Sequence, residues 1–147
     1  MHRISLRSGV AALALAVLLV AGSPALAETV AFKAELKGAN EVPPIDSKGT
    51  GTVTATYDTA SKKLSWKISY SGLTGNATAA HFHGPADRDK NAAVVVPIIG
   101  SVTSPIEGSA TLTEAQAADF MAGRWYFNIH TAAHGPGEIR GQMLKGM

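Results

Sequence analysis

The chain has 147 residues, no cysteine and a formal net charge of +2, with 13 Lys+Arg against 11 Asp+Glu. That length suits one domain with a buried core, and the missing thiols exclude a disulfide framework and a lipid-bearing cysteine. Near-neutral charge without a basic tract argues against nucleic acid or anionic lipid as a partner.

The first element is a leader. "MHRISLRS" carries Arg3 and Arg7, "GVAALALAVLLVAG" is apolar throughout, and "SPALA" offers Ala25 and Ala27 as an A-x-A cleavage site. This is the layout of a secretory signal peptide over residues 1–27. Its apolar run falls short of the roughly 20 residues that span a bilayer. The expectation is a secreted or periplasmic chain from Glu28 to Met147, with no membrane anchor after cleavage. Arg3 and Arg7 depart with the leader, so the remaining domain carries equal numbers of acidic and basic residues.

Period-two alternation dominates the rest. Residues 29–36 alternate Val30, Phe32 and Ala34 with small or charged neighbours, and 49–58 are rich in threonine. Residues 62–73 place Leu64, Trp66, Ile68 and Tyr70 on one face and Lys63, Ser65, Lys67 and Ser69 on the other, the pattern of a half-buried strand. Further strands are predicted at 77–83, 93–99, 108–112, 124–130 and 138–143. Between them, Thr113 followed by Gln116 forms a capping box for a short helix over 114–121, which Gly123 stops. Short strands at this spacing indicate an all-β antiparallel sandwich or barrel.

The chemistry concentrates in histidines. After the leader the chain keeps four, in two pairs, "HFH" (His81, His83) and "HTAAH" (His130, His134). In a strand, residues i and i+2 share a face about 6.6–7 Å apart. His81 and His83 can therefore reach one ion while Phe82 points to the core. Imidazoles suit copper, zinc, iron or nickel, with copper(II) heading the affinity order. In the opposing reading, His81 and His130 satisfy hydrogen bonds in the core while His83 and His134 are exposed. Glu41, Glu138 and Arg140 are candidates for the surrounding shell, with ion pairs to Arg140 as their ordinary role. Trp66, Trp125, Tyr126 and Phe127 read as core. Asp87, Arg88, Asp89 and Lys90 read as a solvated loop tip. No Ser/His/Asp set, phosphate loop or paired carboxylates are evident.

"LKGANEVPP", "GTGTVTATYD", "LSWKISYSGL", "AAHFHGPA", "LTEAQAADFMAGRWYFNIHT" and "GPGEIRGQM" follow one another as in the CHRD (chordin) domain family, which the chain resembles over about residues 34–143. The resemblance implies a secreted or periplasmic β-sandwich, mostly without assigned activity in this family. In chordin the repeats belong to an extracellular growth-factor-binding protein, so a protein partner is the alternative to a metal. The chain is also distantly similar to copper–zinc superoxide dismutases, which implies a Greek-key sandwich. In that likeness His81 and His83 match the strand pair, His130 the late copper histidine and Arg140 the anion-steering arginine. The zinc-binding loop and the disulfide cysteines have no counterpart here. The expectation is therefore an exported domain that binds a transition metal, copper before zinc, through His81, His83, His130 and His134. Any enzymatic activity would be superoxide dismutase-like copper chemistry. The alternative is an interaction or structural module without metal.

Overall fold

The computed structural model describes residues 26–146, so the signal-peptide reading lies almost wholly outside the described residues. The strands are β1 (Thr29–Lys37), β2 (Thr50–Asp58), β3 (Lys63–Ser71), β4 (Ala77–His83), β5 (Val94–Pro97), β6 (Ile106–Thr111), β7 (Tyr126–Thr131), β8 (Ile139–Gln142) and β9 (Leu144–Lys145). One helix, α1 (Glu114–Met121), lies between β6 and β7. All pairings are antiparallel. The all-β fold class and the short helix expected from sequence are both present.

The hydrogen-bonded order is β5-β4-β7-β8-β1-β2-β3-β6, with β9 on β1. Its two halves meet at one rung, Lys37 opposite Arg140. Two four-stranded layers therefore face each other in a nearly closed sandwich. Alternation explains their packing: Phe32, Ala34 and Leu36 of β1 and Leu64, Trp66 and Ile68 of β3 are buried. Phe82 and Phe127 of the other layer fill the same interior. The rings of Trp66 and Phe82 meet across it at 5.2 Å. Tyr70 is only half-buried, because β3 is leaving the core there.

The helix forms where its capping box falls. Thr113 Oγ1 accepts from the Gln116 backbone at 3.2 Å, and Gln116 Oε1 accepts from the Thr113 backbone at 2.9 Å. Gly123, at a φ of 73° that favours glycine, ends the segment. Phe120 then packs on Phe32 at 4.3 Å and on Trp125 at 5.2 Å. Among the described residues, no helix is long and apolar enough to cross a membrane.

β7 departs from simple alternation. Tyr126, Phe127, Asn128, Ile129 and Thr131 are all buried, so both of its faces are covered. Phe127 and Ile129 face the core. Tyr126, Asn128 and His130 look outward into a polar layer roofed by loops.

Glu138 fastens the end of β7 to the segments before β2 and after β3. It is fully buried and accepts from Ser47 Oγ (2.7 Å), Thr131 Oγ1 (2.6 Å), and the backbone and hydroxyl of Thr74 (2.9 and 2.8 Å). Burial pushes its pKa up, but the donors of Thr131, Ser47 and Thr74 outweigh it and hold the carboxyl at about 2. The expected Glu138–Arg140 ion pair is absent among the described residues. Hydroxyls and an amide take the carboxylate, while Arg140 turns to another loop. Replacing Glu138 by Ala should cost about 3 kcal/mol, since it leaves four donors, three hydroxyls and one backbone amide, without their acceptor. Because its folded pKa is depressed, the stabilisation is complete above about pH 4.5 and lost as pH falls towards 2. Urea unfolding of wild type and Glu138→Ala at pH 7 and pH 3 checks this: the gap between them should shrink at the lower pH.

Candidate metal centre

Cross-strand register puts the histidines together. In the β4-β7-β8 layer, His81 lies opposite Asn128 and Asn128 opposite Arg140. His83 lies opposite Tyr126, and Tyr126 opposite Gln142. His130 lies opposite Ala79, two residues along from His81 on the same face. Phe82, between the two ligand candidates, is fully buried in the core, as period two requires. One ring nitrogen from each of His81, His83 and His130 lies within 4.8 Å of the other two.

The closest approach is His81 Nδ1 to His130 Nε2, at 3.0 Å. His130 Nδ1 donates to the Gly135 carbonyl at 2.7 Å. A carbonyl can only accept, so that contact leaves Nε2 as the acceptor. The neighbouring His81 Nδ1 then carries the proton between them. Backbone anchoring of the outer nitrogen is the arrangement that fixes a ligating imidazole and its tautomer.

His83 is placed under more constraint. Its ring stacks on Tyr126 at 4.7 Å with a 3° interplanar angle. Its Nδ1 meets the Ala92 carbonyl at 3.0 Å and its Nε2 meets Asn128 Oδ1 at 2.9 Å. Asn128 is oriented by donating from Nδ2 to the Pro136 carbonyl at 3.3 Å. Both partners of His83 are therefore acceptors, an environment suited to the imidazolium. Burial works the other way and sets the net direction, with His130 and Arg140 adding to it. The pKa falls below 6.5 although the bonds to Ala92 and Asn128 raise it.

His134 is not part of the group. It sits in the turn after β7, where its backbone exchanges hydrogen bonds with Thr131 and its carbonyl accepts from Gly137. The turn uses residue 134 for its main chain and does not fold the ring back over the other three. The four-ligand expectation thus reduces to three converging histidines.

Arg140 is buried, with its guanidinium 3.4 Å above the Tyr126 ring. Nη1 donates to Asn91 Oδ1 (2.9 Å), and Nη2 to the carbonyls of Lys90 (2.7 Å), Arg88 (3.3 Å) and Asp87 (3.5 Å). Asp87, Arg88, Asp89 and Lys90 do form a loop tip, as expected, but one pinned from beneath by Arg140. The anion-steering role implied by the superoxide dismutase likeness does not fit a guanidinium so enclosed. Glu41 is buried beside Asn128 and Gly137, and no ion pair to Arg140 forms among the described residues.

Sequence reasoning overlooked Asn128, Tyr126 and the Ala92 carbonyl. Asn128 had a readable signal: it is the one polar residue within the apolar run "WYFNI", two positions before His130 and so on its face.

The model of the CHRD domain family matches residues 32–143 of this chain. No curated protein and no solved structure matches it.

The electrostatics of the site predict a pH response. Burial, and then the neighbouring His130 and His83, hold His81 below 6.5, and His83 is held below it as well. The unfolded chain therefore takes up protons first as the solution is acidified. The two rings contribute no differential stability above about pH 6.5 and destabilise the metal-free fold below it. Glu41, raised to about 7 chiefly by burial, acts with the opposite sign between about pH 7 and 4.5. Residue-resolved NMR separates them: the His81 and His83 imidazole signals should titrate with midpoints below 6.5, and midpoints above 6.5 would contradict the geometry.

Proposed function

The chain belongs to the CHRD domain family, and we propose that it is an exported domain that binds one transition-metal ion through His81, His83 and His130. The observation that carries this reading is the 3.0 Å approach of His81 Nδ1 and His130 Nε2, with His83 on the same face. CHRD domains are typically extracellular or periplasmic, and the leader over residues 1–27 supports export of this one.

Copper is the favoured ion, with zinc the alternative. Imidazole donors suit copper and zinc alike, and copper(II) heads the affinity order for such a site. The donor set contains no thiolate or carboxylate that would favour another class of ion. His130 and His83 bring backbone-anchored rings, and His81 faces the gap between them. The enclosure of Arg140 supports metal binding or handling over superoxide turnover, because its donors are committed to the loop.

Copper(II) in hundredfold excess over its dissociation constant should stabilise the purified protein by about 2.7 kcal/mol, a rise of several degrees in melting temperature. His81→Ala and His130→Ala should abolish the increment while the metal-free proteins stay folded, since both rings lie outside the apolar core. His134→Ala should keep it. Melting curves with copper(II), zinc(II) and chelator check the set. If wild type and His81→Ala respond alike to every metal, the histidines are structural and the protein-interaction reading replaces this one.

A further inference from the structure

Beyond Asn128 from the histidines lies a cavity of about 380 Å³. Asn40 and Glu41 of the "NEVPP" stretch line it, with Arg88 and Asp89 of the loop after β4 and Arg140 and Gln142 of β8. Three of the chain's distinctive stretches thus converge on a space that the histidine cluster does not use.

Its buried open valences are acceptors, while at the rim Arg88 is exposed and forms no ion pair among the described residues. Glu41 is 6% exposed, and its Oε1 has no hydrogen-bond partner. No cation pairs with it among the described residues. Buried carboxylates are ordinarily paired, because an unpaired charge costs several kcal/mol to desolvate. Arg140 is the nearest candidate, but its Nη groups are spent on Asn91 and three loop carbonyls. Its field and a hydrogen bond from Asn128 lower the Glu41 pKa yet do not offset burial, which leaves the group at about 7. Gln142 repeats the pattern. Its amide nitrogen donates to the Ala86 and Gly123 carbonyls, both at 2.8 Å, which fixes the orientation of the amide. Its Oε1 is left without a partner. At the rim, Asp89 adds a further carboxylate, paired only with exposed Lys90 at 3.6 Å.

We propose that this cavity is a binding site for a small organic cation, whose primary ammonium or guanidinium head pairs with the Glu41 carboxylate. A cation of this kind supplies both missing elements, several N–H donors and a positive charge. An anion could use Arg88 at the rim but would face the Glu41 carboxylate at the buried end. A neutral hydroxyl ligand would satisfy hydrogen bonds but leave the carboxylate without a counter-ion. The proposal does not depend on metal binding at the histidines.

The test uses three probes of one shape on the isotope-labelled protein: n-butylammonium, butyrate and n-butanol. In NMR titrations, n-butylammonium should give saturable shifts at Glu41, Asp89 and Gln142, including the Glu41 side-chain carboxyl carbon. The other two probes should not. Glu41→Gln, nearly isosteric, should weaken the ammonium at least about tenfold, the worth of a hydrogen bond to a charged group. Asp89→Asn, on an exposed loop where folding is not at stake, should weaken it less and leave the spectrum otherwise intact. The proposal is overturned if n-butylammonium gives no saturable shifts or if butanol and butyrate match it. Unchanged affinity in a folded Glu41→Gln, or in Asp89→Asn if the first variant does not fold, would overturn it as well.

Discussion

The layout of the polar layer follows from burying a guanidinium that forms no ion pair among the described residues. Arg140 sits at the single rung that joins the two layers, opposite Lys37, and is 1% exposed. Desolvating such a charge costs several kcal/mol. The cost is offset by charge-assisted bonds worth about 1.5–3 kcal/mol each and by the Tyr126 ring beneath, worth about 2 kcal/mol when desolvated. Those acceptors are the Asn91 side chain and the backbone carbonyls of Asp87, Arg88 and Lys90, so holding the charge holds the loop. The same loop carries the Ala92 carbonyl to His83, and Tyr126 stacks on that ring from β7. One buried cation thereby sets the loop, the aromatic platform and the orientation of a histidine.

Rigid strands supply the remaining precision. His81 and His83 lie on β4 and His130 on β7, neighbours whose register is fixed by the core residues Phe82 and Phe127 on the reverse face. Slipping that pairing by one residue would carry the phenylalanines out of the core and the histidines into it. Each ring is then finished by a loop carbonyl, Gly135 for His130 and Ala92 for His83. Glu138 secures the turn after β7 from the other side through Thr131. Backbone position comes from the core, and ring orientation comes from the loops.

This division of labour explains what could be read from the chain. Period two placed His81 and His83 on one face, and the capping box of Thr113 and Gln116 located α1 at residues 114–121, because both depend on local spacing. The partners of Glu138 and Arg140 were misread as an ion pair. In the fold, hydroxyls from residues 47, 74 and 131 take the carboxylate, while the carbonyls of 87, 88 and 90 and the Asn91 side chain take the guanidinium. Such partners carry no pattern in the sequence, since every residue has a carbonyl and threonine is common throughout β2. His134 was misjudged for a related reason: four residues from His130 suggests convergence only if the turn curls inward, and its main-chain bonds give it another shape.

The protonation pattern of the cluster bears on how it could act. His81 Nδ1 carries the proton shared with His130 Nε2, and His83 Nε2 faces an acceptor on Asn128. Two of the three inward nitrogens are therefore arranged to hold a proton where a ligand must offer a lone pair. Burial favours the neutral rings, because it drives the His81 and His83 pKa values down, and a neutral ring frees its inward nitrogen by carrying its one proton on the outer nitrogen. Asn128 decides what happens next. Once His83 Nε2 is deprotonated, Asn128 Oδ1 at 2.9 Å opposes a lone pair and gains nothing by staying. Its amide can relieve the contact only by turning, and Nδ2 is already directed at the Pro136 carbonyl and the buried Glu41. The side chain between the histidines and the neighbouring cavity is thus the one whose orientation must change when His83 gives up its proton. That links the state of the cluster to the surroundings of Glu41 through a single buried amide.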